Sequence, residues 1–110
     1  MDTTLADRTT VGQLFKRFAA DRTNPGESGD AERSRLKAFQ RLDLAALKVS
    51  ALQSMHIAAF RDAELKRGLR PSSVVKNLEL MSRVLNTAHR EWGIRTPFNP
   101  ASAREVRRPK

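Results

Sequence analysis

Lys76, Arg83 and Arg90 recur at intervals of seven within Ser72 to Ile94, SSVVKNLELMSRVLNTAHREWGI. Further upstream, Arg33, Lys37 and Arg41 recur at intervals of four. Cationic side chains in register hold anions. A line of guanidinium and ammonium groups displaces counterions from a polyphosphate and fixes its track. Ser72, Ser73 and Asn77 stand beside the first line. Their short polar groups suit phosphates and base edges, and equally the capping of a first helical turn.

Other chemistry is thin. The 110 residues include no cysteine, no tyrosine and only two histidines, His56 and His89. Disulfides, thiolate nucleophiles and cysteine-held zinc are excluded. The histidines fall on different predicted helices with no second ligand one turn away, so neither a metal site nor a cofactor is expected. No glycine-rich phosphate loop and no nucleophile elbow is present. Glu64 and Glu79 lie among basic residues, the setting of surface ion pairs. No residue is assigned a catalytic role.

The net charge is +9 and unevenly spread. Residues 1–30 hold four basic and five acidic side chains, whereas residues 31–110 hold seventeen and seven. A basic excess confined to one part suggests a polyanionic partner, with nucleic acid first and an anionic membrane second. A membrane-surface helix needs its basic residues flanking an exposed apolar face. Here the charges oppose the apolar seam, so no membrane partner is expected. No apolar run approaches the roughly 20 residues of a membrane span. The N-terminus, MDTTLADRTT, lacks the apolar centre of a signal peptide. A cytoplasmic location is the expectation.

Helices must position these groups. Thr10 and Gln13 have capping-box spacing, and Val11, Leu14, Phe15 and Phe18 form an apolar face, which predicts a first helix over 10–22. Pro25, Gly26 and Gly29 break the chain, and Asp30 is placed to cap a second helix over 31–42 with Leu36, Phe39 and Leu42 inward. Residues 43–52 fit neither period and predict a short connection whose leucines plug the core. Gln53 or Ser54 opens a third helix with Ile57, Phe60 and Leu65 as packing residues, and Gly68 suits its left-handed end. Pro71 suits the first position of a fourth helix, 71–92, ended by Gly93. Along that helix Val74, Leu78, Met81, Leu85, Ala88 and Trp92 make a seam at steps of four and three, with Trp92 as its core anchor. At roughly 100° per residue the Lys76–Arg83–Arg90 line points nearly opposite. Ile94 and Phe98 are expected to fold back. No strand is predicted.

Several stretches together resemble the core-binding domain of phage-integrase-type tyrosine recombinases, closest to bacterial shufflon-specific integrases. TVGQLFKRF is similar to that family's opening helix and AERSRL to the start of its second. LQSMHIAAFRDAELKRG resembles the third. SSVVKNLELMSRVLNTAHREWGI resembles the fourth, and NPASAREVRRPK the linker into the catalytic domain. The A..EWG…NP pattern is the most specific part. The chain departs from the pattern at Gln53, Glu64 and Val75.

The resemblance implies an all-α, four-helix, SAM-like orthogonal bundle. It also implies a domain map: a disordered N-terminus over 1–9, the core-binding domain over 10–99, and a linker over 100–110 toward a catalytic domain absent from this chain. Such a module is one jaw of a clamp on the duplex DNA of a recombination core site, bacterial or phage-encoded, beside other recombinase protomers. The isolated domain is expected to be a monomer. In that family the second and fourth helices lie against DNA, and the catalytic jaw carries a tyrosine nucleophile. A chain without tyrosine is therefore expected to be non-catalytic. The DNA contacts implied here are Arg33, Lys37 and Arg41 on one helix and Lys76, Arg83 and Arg90 on the other, with Ser72, Ser73 and Asn77 near the start of the latter. A second reading from the residues is a basic helical module that binds an acidic protein partner.

Overall fold

The computed structural model describes residues 4–21 and 27–110, and within them it is all-α, with five α-helices and no strand. They are α1 (Thr4–Arg8), α2 (Val11–Asp21), α3 (Glu27–Phe39), α4 (Ser54–Lys66) and α5 (Pro71–Glu91). Two 3-10 turns, Asp43–Ala46 and Val49–Ala51, join α3 to α4.

The start of α2 follows its sequence signal. Gln13 N–H donates to Thr10 Oγ1 at 3.1 Å, and Thr10 N–H donates to Gln13 Oε1 at 2.7 Å. The otherwise orphaned Thr10 amide is thereby satisfied, and the Gln13 amide gains a side-chain acceptor beside Thr10 C=O at 3.1 Å. α4 starts on a similar device, with Gln53 N–H donating to His56 Nδ1 at 2.9 Å. Gly68 takes φ +96° after α4, where Leu69 N–H reaches Glu64 C=O at 3.1 Å and Gly68 N–H reaches Leu65 C=O at 3.0 Å. This pair of bonds is a Schellman end, and only glycine adopts its φ without strain. Pro71 then opens α5 at once. Gly93, at φ +69°, ends it.

One apolar cluster holds the helices together. Val11, Leu14, Phe15 and Phe18 of α2, Leu36 and Phe39 of α3, and Ile57 and Phe60 of α4 are buried as their periodicity predicts. The Phe15 and Phe39 rings lie 5.3 Å apart, and Phe39 meets Phe60 edge-on at 5.9 Å. This aromatic chain ties α2, α3 and α4 at one point. Leu44, Val49 and Leu52 of the connecting turns are buried too.

The structure departs from the expected map in four places. First, residues 4–8 are helical, where the N-terminus was expected to be disordered. Ala6 is buried, and the following strap of chain is pinned by Val49 N–H to Thr9 C=O at 2.8 Å and Val11 N–H to Leu47 C=O at 2.9 Å. Among the described residues the bundle thus has five α-helices, not four. Second, α3 begins at Glu27 and ends at Phe39, so Asp30 lies inside it, paired with Arg33 at 2.9 Å, and Arg41 lies in the turn beyond it. The predicted break at Pro25 and Gly26 and the last residue of the predicted first helix, Arg22, lie outside the described residues.

Third, the tail is docked, not a free linker. Ile94, Pro100, Ala101 and Val106 are buried, while Phe98 is exposed. Asn99 Nδ2 donates to Ser82 C=O at 2.9 Å, to Ser82 Oγ at 3.1 Å and to Asn86 Oδ1 at 3.0 Å, and its Oδ1 accepts from Ala101 N–H at 2.9 Å. Arg61 of α4 donates to Arg107 C=O at 2.9 Å. These bonds fasten the tail to α5 at Asn99 and to α4 at Arg107.

Fourth, Trp92 is half-buried at the end of α5 and not an interior anchor. The Arg17 guanidinium lies 4.2 Å above its ring. Trp92→Ala is therefore expected to cost about 2 kcal/mol, below the roughly 3–5 kcal/mol of a fully buried large aromatic. Urea denaturation followed by far-UV circular dichroism measures it, and a loss above 3 kcal/mol would return Trp92 to the core.

Candidate nucleic-acid interface

α5 is enclosed more widely than its seam requires. Val74, Leu78, Met81, Leu85 and Ala88 are buried as expected, but Ser82 is buried as well, and Leu80 and Val84 are 0 % exposed. Leu80 lies about 160° around the helix from Leu78. What remains in water is narrow. Between Val74 and Arg90 the exposed residues are Lys76, Glu79, Arg83, Asn86 and Arg90. They step by three, four, three and four, which keeps them on one edge. The expected cationic line is thus solvent-facing, with two further polar residues set into it.

Neighbouring elements hold this edge from both sides. Arg83 Nη2 pairs with Glu32 Oε2 of α3 at 3.0 Å, and the Glu32 side chain is only 13 % exposed. Arg83 is therefore partly neutralised before any anion arrives, and it also ties α5 to α3. On the other side, Arg108 of the tail donates from Nε to Glu79 Oε1 at 3.1 Å, from Nη1 to Val106 C=O at 3.0 Å and from Nη2 to Ala101 C=O at 2.9 Å. All three nitrogens of the guanidinium are engaged, which clamps the tail to the edge.

The other expected contact residues divide into groups. Lys76 and Arg90 on α5 and Lys37 on α3 are exposed, as is Arg41 in the turn beyond α3. Arg33 is half-buried and engaged with Asp30, so it is a weaker anion ligand than its spacing suggests. Ser72 is exposed, and Ser73 and Asn77 are half-buried. α5 has Arg70 as its N-cap with no side-chain cap bond, so the capping role open to the two serines is not the one observed. Because Glu32 of α3 meets Arg83 of α5, the two cationic lines come from helices that touch.

Several other charges are occupied elsewhere. Glu64, expected at the surface, is buried and bonded to Arg67 at 2.6 Å beside an apolar groove of about 760 Å³ lined by Leu42, Leu44, Leu47 and Phe60. His56, also lining that groove, is committed to the α4 cap. His89 Nε2 lies 3.4 Å from Arg95 Nη1. The Asp62 carboxyl is held below its ordinary pKa by the hydrogen bond from Arg61, with a smaller Coulombic contribution from the same guanidinium. Arg61 is thus engaged by Asp62 and by the tail. Among the described residues no helix is long and apolar enough to cross a membrane.

Glu79 and Asn86 are the parts of the edge that the cationic spacing did not single out. The 76–79–83–86–90 pattern was visible as an unbroken polar row. Their partners, Arg108 and Asn99, lie 29 and 13 residues away in a stretch without periodicity. Compared with protein-family models, curated proteins and solved structures, the chain matches none of them.

Proposed function

We propose that this protein is a non-catalytic, double-stranded-DNA-binding module. The observation that carries the reading is the exposed edge of α5, where Lys76 and Arg90 flank the Glu32-paired Arg83 on the face of the helix turned away from the core. Lys37 on α3 and Arg41 in the turn beyond it add further exposed basic groups. Phosphate contacts from such a surface supply affinity through counterion release. In finer detail, the resemblance of the A..EWG…NP stretch and of the surrounding segments supports a core-binding domain of a tyrosine recombinase, gripping one side of a core site beside other protomers.

A duplex titration by fluorescence anisotropy over a range of salt concentrations tests this. The expected result is weak binding whose log Kobs falls with log salt by close to one unit for each phosphate neutralised. A flat salt response sinks the DNA reading. Salt-resistant capture by an acidic polypeptide, with no retention on duplex, would instead support the protein-interaction module. The recombinase part requires a catalytic domain encoded in the same gene. Its absence there would sink that part and leave duplex binding untouched.

A further inference from the structure

From the edge of α5 we infer a base-reading pair, Glu79 and Asn86, which the docked tail holds ready as one acceptor and one donor. This rests on the duplex-binding reading and deepens it. Glu79 and Asn86 are seven residues apart, so they lie about 20° apart around α5 and roughly 10.5 Å apart along it. Three base steps span about 10 Å. A helix lying along a major groove would present the two side chains to base pairs three steps apart.

Each side chain is oriented by one of its two polar atoms and has the other left over. Arg108 Nε bonds Glu79 Oε1, and the Arg108 side chain is 16 % exposed while that of Glu79 is 53 % exposed. The clamp is inside and the carboxylate outside. The guanidinium also offsets the carboxylate charge, which would otherwise repel phosphates flanking the edge. Glu79 Oε2 remains as an oriented acceptor. Asn99 Nδ2 bonds Asn86 Oδ1, and Asn99 is fixed in turn by Ser82 and Ala101. The amide of Asn86 is thereby set with its oxygen toward the tail, leaving Nδ2 as an oriented donor on an exposed residue. Lys76, Arg83 and Arg90 run about 20–80° away around the helix. They serve as the phosphate row beside the reading row. A carboxylate suits the exocyclic amine of cytosine or adenine, and an amide donor suits guanine O6 and N7 or thymine O4.

Selection of binding duplexes from a randomised library tests the assignment. The variants are Glu79→Gln and Asn86→Asp. Each keeps the atom that the tail bonds and reverses the sense of the atom left over. The wild-type protein is expected to favour an amine-bearing base at one position and an acceptor-bearing base about three steps away. Glu79→Gln should shift the first preference alone and Asn86→Asp the second alone, each by about tenfold. Binding with no preference in the wild type, or the same preference in both variants, overturns the inference. Those results reduce the pair to tail tethers and leave duplex binding standing. Failure of the wild type to retain any duplex overturns the underlying reading and the inference with it.

Discussion

Leu80→Ala is expected to destabilise the protein by about 2–5 kcal/mol, the range for removing a fully buried leucine side chain. The expectation runs against the plain helical wheel of α5. Leu80 lies far around the helix from Leu78 and one turn from Lys76, among positions that a single apolar seam would leave in water. Substitution at a solvent-facing position costs within about 0.5 kcal/mol. Yet Leu80 is 0 % exposed and belongs to the same core cluster as the seam. The two geometries therefore differ by a factor large enough for a single denaturant titration. Val84→Ala should behave similarly at a smaller scale, because fewer atoms are removed. If Leu80→Ala melts like the wild type, α5 is packed on one face only, and the narrow exposed edge described above does not exist.

Lys76→Glu combined with Arg90→Glu is expected to weaken duplex binding about a hundredfold or more while leaving the fold intact. Two charge-assisted contacts at about 1.4 kcal/mol each account for a factor of a hundred, and reversal adds repulsion. The salt slope should fall by about two units. Both residues are exposed, so the melting temperature should hold. Arg83 is left out of this pair on structural grounds. Arg83→Glu would bring a second carboxylate against the nearly buried Glu32, at a cost of about 1–2 kcal/mol of stability, and would confuse folding with binding. Lys16→Glu with Lys66→Glu, exposed positions on α2 and α4, makes the same change in net charge elsewhere. Equal loss in both double variants would mean that total charge alone drives binding, and the α5 edge would have no special part.

Local signals were readable wherever one residue's chemistry decides the backbone. The Thr10–Gln13 box, the left-handed Gly68, the Gly93 stop and the Pro71 start are all visible as residue types at fixed offsets, because each satisfies or frees a named amide within a few positions. The buried faces of α2 and α4 were visible for the same reason, as period. What escaped depends on distant partners. Leu80 and Val84 are polar-side positions by period, and only enclosure on a second flank buries them. The tail looked unstructured because its order comes from Asn99 and Arg108 reaching α5, not from any repeat of its own. Trp92 ends an apolar series and so reads as internal, but the helix stops there, and the ring packs on the rim of the core with Arg17 over one face. The cationic row was fully legible. The neutralisation of Arg83 by Glu32, 51 residues away, was not.

The wide enclosure of α5 has a thermodynamic side. A basic segment that folds only on meeting its polyanion loses backbone entropy at that moment and buries on the order of 1,000–3,000 Å², with a large negative heat-capacity change. α5 has already lost that entropy, because the core on two flanks and the tail on a third order it in the free protein. Only the outer methylenes and head groups of a few lysine and arginine side chains remain to be immobilised, at about 0.5–1.5 kcal/mol each. If the proposed duplex binding takes place on this edge, it is thus expected to be a rigid-body event dominated by ion release, with a heat capacity that barely changes and an enthalpy nearly independent of temperature. The hydrophobic free energy that folds the bundle is the same free energy that preorganises its charged edge.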